Sequence, residues 1–152
     1  MRPDLKTISG EQLPSLSSRH NHPPRRGSWK ISKNLQSSLR YAIQGLIYGF
    51  SSQRNFRIHL FLGAITFILG VWLQLSAIHK AILLLTIASV LVLELINTSI
   101  EAVVDLTIGR NFHPLARIAK DCSAAAVLVS SISSLLIAFL LLLPPLLTQL
   151  GL

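Results

Sequence analysis

The sequence predicts an all-α membrane protein in which an amphipathic helix precedes three transmembrane helices. The 152 residues are 51% hydrophobic and only 13% charged, which is not typical of a soluble domain. Three apolar runs approach or exceed the roughly 20 residues that a helix needs to cross a bilayer. Before them lies a segment with helical apolar spacing and a basic polar side.

The N-terminal tail, residues 1–28, is rich in proline, serine and basic residues. Such a segment cannot bury enough apolar surface to offset the entropy lost on ordering. We therefore expect a disordered basic tail followed by one membrane domain over residues 29–152.

Residues 29–50 have the pattern of an amphipathic helix. Their apolar side chains recur mostly at spacings of three and four, and Lys30, Lys33 and Arg40 stand between them. The apolar residues are Trp29, Ile31, Leu35, Leu39, Ile43, Leu46 and Ile47. A basic amphipathic helix is suited to the membrane interface. The alternative, a helix packed on a soluble part of the protein, is disfavoured because little soluble protein exists here to receive it.

Three spans are predicted at about residues 58–75, 80–106 and 121–143. The first is interrupted only by His59, Thr66 and Gln74. The second is uncharged over residues 81–93, and we expect its helix to continue to Leu106. The third ends before the two prolines at 144 and 145.

The basic residues predict the topology. Ten Lys and Arg precede the first span, one lies between the first and second, three lie between the second and third, and none follows the third. By the positive-inside rule, the N-terminus and the second loop are cytoplasmic and the C-terminus is outside. The net charge of +8 does not indicate nucleic acid, because the basic residues flank apolar runs and can face anionic lipid headgroups.

Acidic residues are concentrated in one region. Beyond the tail, every Asp and Glu lies between residues 94 and 121. On a helix, Glu94, Asn97, Glu101 and Asp105 fall within an arc of about 80 degrees. Each ionisable side chain in a span costs at least ~2.5 kcal/mol on insertion scales, so this polar stripe needs a compensating partner or a function.

The stripe and the loop after it suit phosphoryl transfer. Carboxylate oxygens suit Mg²⁺, which usually takes one or two protein carboxylates together with substrate phosphates. A carboxylate at Glu94 can act as the general base for a hydroxyl that arrives from the lipid. The loop offers groups that could hold a nucleotide polyphosphate, namely Arg110, His113, Arg117, Lys120 and Asp121. The sequence contains no GxxxxGK[ST] loop, which excludes the usual soluble nucleotide-binding motif.

Two other interpretations account for the stripe. Its carboxylates can pair with basic residues on neighbouring helices and serve only to hold the helices together. They can also line the ion path of a proton-coupled transporter or a small oligomeric channel. The transporter explains the stripe but not the Lys, Asp and His residues next to it.

Three segments resemble the prokaryotic diacylglycerol kinase family, which also includes undecaprenol kinases. They are ELINTSIEAVVDL at 94–106, HPLARIAKDCSAAAVL at 113–128 and RYAIQGLIYGFSSQRNFRIH at 40–59. The resemblance covers about residues 29–147. It implies a homotrimer of three-span protomers in the bacterial inner (cytoplasmic) membrane, which uses ATP and Mg²⁺ at active sites shared between neighbouring protomers.

The resemblance also implies roles for individual residues. Glu94 matches the catalytic base and Glu101 a metal ligand, with Asn97 and Asp105 as supporting polar residues. The positions that match ATP contacts are Tyr41, Asn111, Phe112, His113, Lys120 and Asp121. The positions near the lipid entrance, where Glu94 also meets the substrate, are Arg54, Asn55, Phe56, Arg57 and His59.

One position departs from the family pattern. Gln53 stands where a second metal-binding Glu is usual, and an amide oxygen can bind Mg²⁺ but brings no charge. We expect weaker metal binding there, unless Asp105 or a water compensates. The expected reaction converts diacylglycerol to phosphatidic acid. Undecaprenol is the alternative acceptor, because the two alcohols differ mainly in their tails and the RNFRIH and HPLA segments look closer to undecaprenol kinases.

Overall fold

The computed structural model describes residues 35–109 and 111–151, which form four helices and no strand. The helices are α1 (Leu35–Ser52), α2 (Arg54–Trp72), α3 (Ala77–Ile108) and α4 (Pro114–Leu150). Helices α2, α3 and α4 are each long and apolar enough to cross a membrane. The predicted fold class is therefore confirmed. Two predicted parts lie outside the described residues: the tail, residues 1–28, and the beginning of the amphipathic helix, residues 29–34.

Helix α2 begins and ends earlier than the predicted span of residues 58–75. It starts at Arg54, before the apolar run, because the polar residues ahead of that run are also helical. It ends at Trp72, where the chain turns: the Leu75 N–H donates to the Gly70 carbonyl, and Gln74 has a positive φ of 55°. Helix α3 then begins at Ala77 rather than residue 80, since the Ser76 hydroxyl accepts the His79 N–H and caps the first turn.

Helix α4 is longer at both ends than the predicted span of residues 121–143. It begins at Pro114, which suits the first helical position, and His113 Nδ1 accepts the Leu115 N–H. The two prolines at 144 and 145 do not end the helix, which continues to Leu150. In lipid, ending a helix leaves several backbone groups without hydrogen bonds, whereas each proline removes only one donor.

The helix lengths place polar residues at one end of the bundle. At 1.5 Å per residue, α2 is about 28 Å long, close to the thickness of a hydrocarbon core, whereas α3 is about 48 Å long. Because a four-residue turn joins them, the level of Arg54 corresponds to that of Leu95 on α3. Residues 96–108 therefore extend about 20 Å past the start of α2. We call this part, with the α1–α2 junction and the α3–α4 turn, the polar end.

The opposite end holds a small apolar core, formed by Leu73, Leu75, Leu83 and Leu142. Leu83 is fully buried. Most of the other large apolar side chains of the three long helices are exposed. In a membrane protein these side chains face lipid or a neighbouring chain, so the low burial agrees with a spanning role.

Close helix contacts occur at glycines. A Cβ added at Gly63 on α2 would lie 2.6 Å from Cγ2 of Ile87 on α3, and one at Gly49 on α1 would lie 2.8 Å from Leu95. Absence of a side chain thus lets α1 and α2 approach α3. A hydrogen bond from the Ser134 hydroxyl to the Thr86 carbonyl, 3.2 Å long, joins α4 to the same part of α3.

We predict that Gly63→Ala destabilises the protein by about 1–3 kcal/mol, the usual cost of overpacking. The added methyl meets Ile87, whose branched side chain has essentially one rotamer in a helix and cannot move aside easily. The measurement is unfolding in detergent micelles. Gly45→Ala is the control, since nothing lies within 4 Å of its Cβ position. Equal stability of the two variants, or no recovery on adding Ile87→Ala, would contradict this account of the α2–α3 contact.

Candidate functional site

The predicted polar stripe lies on one side of α3 and becomes more exposed toward the polar end. Glu94 is 3% exposed, Asn97 and Glu101 are half-buried, and Asp105 is exposed. Since Glu94 lies at about the level where α2 begins, its carboxyl group is close to the boundary of the hydrocarbon core. The structure therefore brings the four side chains together on one face, buried at one end and open at the other.

A chain of hydrogen bonds crosses from α4 to this stripe. The Ser123 hydroxyl donates to Asn97 Oδ1 at 2.6 Å, and Asn97 Nδ2 donates to Glu101 Oε1 at 3.0 Å. Because Ser123 occupies the amide oxygen, the amide nitrogen is directed at the carboxylate. Ser123 was not among the residues predicted from the sequence. The available signal was its position three residues after Lys120, which places both on one face of α4.

An ion pair makes the second connection between α3 and α4. Lys120 Nζ lies 2.5 Å from Asp105 Oδ1, with the lysine side chain 38% exposed and the aspartate side chain 60% exposed. A pair as accessible as this contributes little to stability. Instead, the ion pair fixes the position of Lys120, because it holds the ammonium group at the open end of the stripe.

A cavity of about 250 Å³ lies at the α3–α4 turn, beside Lys120. It contains five of the six residues expected to contact ATP, and Arg117 also lines it, 3.5 Å from Asp121. The residues around the cavity are Val104, Ile108, Asn111, Phe112, His113, Ala116, Arg117, Lys120 and Asp121. The sixth expected residue, Tyr41, does not line this cavity and is exposed on α1. Arg110 lies outside the described residues.

The residues expected at the lipid entrance occupy different surroundings at the α1–α2 junction. Arg54 and Asn55 are exposed, whereas Phe56 is 5% exposed and packs beside Gly49. Arg57 Nη1 donates to the carbonyls of Phe50 and Ser51 at 3.1 and 3.0 Å. A guanidinium at the C-terminal end of a helix is electrostatically favourable, so Arg57 stabilises the end of α1, a role that was not predicted from the sequence.

Two ionisable side chains lie close enough to Glu94 to interact with it electrostatically. They are His59 on α2, which is half-buried, and Glu101, two turns further along α3. Of the residues assigned to the lipid entrance, His59 is therefore the one within electrostatic range of the proposed base. It also lines a second cavity between α2, α3 and α4.

The donors suit a magnesium ion that is held jointly with substrate phosphates. Glu101 offers carboxylate oxygen, held in place by the Asn97 amide nitrogen, and Mg²⁺ usually needs only one or two protein carboxylates. Within residues 35–109 and 111–151, no three His, Cys, Asp or Glu side chains come together as a metal site. Gln53 precedes α2 with a half-buried side chain that makes no capping hydrogen bond.

A buried carboxylate, a polar network and a basic cavity lie together on α3 and α4, an arrangement that suits a membrane lipid kinase. The chain belongs to the prokaryotic diacylglycerol kinase family, whose model matches residues 40–142. This confirms the resemblance found in the sequence.

Individual relatives agree with this membership. A diacylglycerol kinase of Synechocystis is 46% identical over 139 residues, covering 91% of this chain and 79% of that protein. An undecaprenol kinase of Bacillus subtilis is 38% identical over 109 residues, covering 72% and 88%. A diacylglycerol kinase of Escherichia coli is 34% identical over 92 residues, covering 60% and 75%. The protein is therefore a membrane enzyme that phosphorylates a lipid, and its family implies ATP as the co-substrate.

We predict that Ser123→Ala lowers the free energy of unfolding by about 1 kcal/mol, because it leaves Asn97 Oδ1 without the hydroxyl donor from α4. Denaturant titration in micelles measures the change. Ser133→Ala is the matched control, since the exposed Ser133 hydroxyl bonds only the Val129 carbonyl of its own helix. An equal loss in both variants would show that the contact between helices adds nothing.

Proposed function

We propose that this protein transfers the γ-phosphoryl group of ATP to diacylglycerol, forming phosphatidic acid, with Mg²⁺ as the cofactor. The observation that supports the proposal is the arrangement along α3: a buried carboxylate at the level of the hydrocarbon boundary and a basic cavity at the polar end, with the hydrogen-bonded side chains of Asn97 and Glu101 between them. The lipid hydroxyl and the nucleotide phosphates can then approach from opposite ends of one stripe.

Glu94 is the general base of the proposed reaction. It accepts the proton of the lipid hydroxyl while the hydroxyl oxygen attacks the γ-phosphorus, and the bond to the bridging oxygen of ADP breaks. Its burial suits this role, because the surroundings exclude water that would compete with the lipid as acceptor.

Lys120 and the cavity at the α3–α4 turn are proposed to hold the nucleotide. The ammonium group is a point charge suited to phosphate oxygens, and Asp105 fixes it beside the cavity. Asn111, Phe112 and His113 line the same space, as does Asp121. A cavity of about 250 Å³ is smaller than a typical site for a whole ligand, so the nucleotide needs a second contributing surface.

A homotrimer with shared active sites would supply that surface. Tyr41, Arg54 and Asn55 are proposed site residues, yet they are exposed on the α1–α2 segment and do not line the turn cavity. A neighbouring protomer can bring its copy of this segment to the cavity. The apolar side chains exposed on the long helices provide surface for such packing.

Glu101 is proposed as the principal protein ligand of Mg²⁺, oriented by Asn97. When bound, the ion would neutralise charge on the phosphates. Gln53 contributes at most a neutral oxygen in place of a second carboxylate.

The proposed location is the bacterial inner membrane, with the N-terminus and the polar end in the cytoplasm, where ATP is available. The excess of Lys and Arg before α2 and in the α3–α4 turn supports this orientation. Undecaprenol remains the second candidate acceptor because of the Bacillus subtilis relative, although the relative named as a diacylglycerol kinase shares more identity over more of the chain. A transporter or channel has no support from the family.

We predict that Glu94→Gln reduces phosphate incorporation to background while the protein stays folded, because the amide keeps the shape but cannot accept the proton. The assay follows transfer from labelled ATP in mixed micelles that contain diacylglycerol or undecaprenol, offered separately. Glu11→Gln, the same change in the N-terminal tail, is the control. Normal turnover in Glu94→Gln would exclude Glu94 as the base, and incorporation into undecaprenol alone would replace the proposed acceptor.

We predict that Gln53→Glu lowers the Mg²⁺ concentration needed for half-maximal activity, because it adds a negatively charged oxygen to the metal site. A titration of activity against Mg²⁺ at saturating ATP measures the shift. Gln44→Glu, on α1 and outside the lining of both cavities of the proposed site, controls for added charge. An unchanged requirement in Gln53→Glu would place residue 53 away from the metal.

A further inference from the structure

A second cavity, of about 220 Å³, lies between α2, α3 and α4. Of the residues that line it, His59 is the only one assigned to the proposed site. The other residues are Leu62, Gly63, Thr66, Thr86, Ile87, Val90, Ser131, Ser134, Leu135 and Ala138. The cavity is thus built mainly from apolar and small side chains in the membrane-spanning parts of the three helices.

The four hydroxyl groups in this lining already have partners. Thr66, Thr86 and Ser131 each donate to a carbonyl three or four residues earlier in their own helix, at 2.8 to 2.9 Å. Ser134 donates to the Thr86 carbonyl on α3. With their protons used in this way, the hydroxyls offer little to a polar ligand, so the cavity suits a hydrocarbon better than water or an ion.

The cavity begins beside the proposed base and leads away from the polar end. Val90, one turn from Glu94 on α3, lines it together with His59 on α2. From Glu94 to Thr86, the chain of α3 rises about 12 Å toward the opposite side of the membrane. Leu62 and Leu135 on its rim are 54% and 71% exposed, so it reaches the outer surface of the protomer.

We propose that this cavity binds the part of the acceptor's hydrocarbon chain nearest the hydroxyl end and thereby sets which lipid is phosphorylated. The inference rests on the proposed function, in which the hydroxyl meets Glu94. The chain then continues from Glu94 in the direction in which the cavity runs. A volume of about 220 Å³ equals roughly seven water volumes, enough for several methylene groups but not for a whole lipid.

Narrowing the cavity with Ala138→Phe tests the proposal. The ring occupies the space of the chain, so the KM for diacylglycerol in mole fraction rises about tenfold or more, the scale of losing one or more methylene contacts in an apolar pocket. The KM for ATP stays unchanged, because the turn cavity is untouched. Ala88→Phe, which adds the same ring at an exposed position outside the cavity, leaves both values unchanged.

A binding measurement on the wild-type protein and on Glu94→Gln keeps the test independent of folding in Ala138→Phe and of turnover. Diacylglycerol with a photoreactive diazirine among the first seven carbons of an acyl chain should label residues 131–138 of α4, and a diazirine near the chain terminus should label them several-fold less. Equal labelling from both positions, labelling confined to other segments, or an unchanged lipid KM in folded Ala138→Phe would overturn the proposal. Absence of kinase activity toward every lipid would refute the proposed function instead, while the labelling pattern would still decide the cavity's role.

Discussion

The cost of holding carboxylates beside a hydrocarbon core is the constraint on which the rest of this structure depends. Glu94 is buried at the level where α2 begins, and each further polar group of the stripe lies closer to water. One helix can carry side chains from the buried level to water because α3 extends about 20 Å past the start of α2. Helix α4 must then extend equally far to supply Ser123 and Lys120, the partners of the stripe. The lengths of the helices follow from the chemistry at their ends.

The fold was predictable from apolar runs and helical phase, but the helix ends were not. Hydropathy detects where a helix is apolar, whereas α2 and α4 begin in polar stretches at Arg54 and Pro114. It also suggested an end at the two prolines, where backbone hydrogen bonding in lipid favours continuing the helix. The turn after α2 depends on the positive φ of Gln74, for which the sequence offers no glycine signal.

The candidate site was predictable where its residues share one helix. A period of 3.6 residues is enough to place Glu94 and Glu101 on one face of α3. Contacts between helices follow a different rule, because they depend on which residues of α4 lie opposite the stripe. Ser123 was missed for this reason, and so was the contact of Arg57 with the end of α1. Tyr41 was expected at the nucleotide from the resemblance alone, and within one protomer it lies on α1 outside the turn cavity.

The length of α2 links the position of Glu94 to the thickness of the membrane. Its 19 residues are matched to a hydrocarbon layer of about 30 Å, and the turn ties its far end to α3. The depth of Glu94 below the nearer headgroups is therefore set by where the α2–α3 turn lies at the opposite membrane surface. A thicker bilayer would lift the lipid hydroxyls away from the carboxylate unless the helices tilt less or the bilayer thins locally. With Glu94 in its proposed role as the base, hydrophobic mismatch changes the distance between the lipid hydroxyl and the carboxylate, and the rate of transfer then depends on membrane thickness.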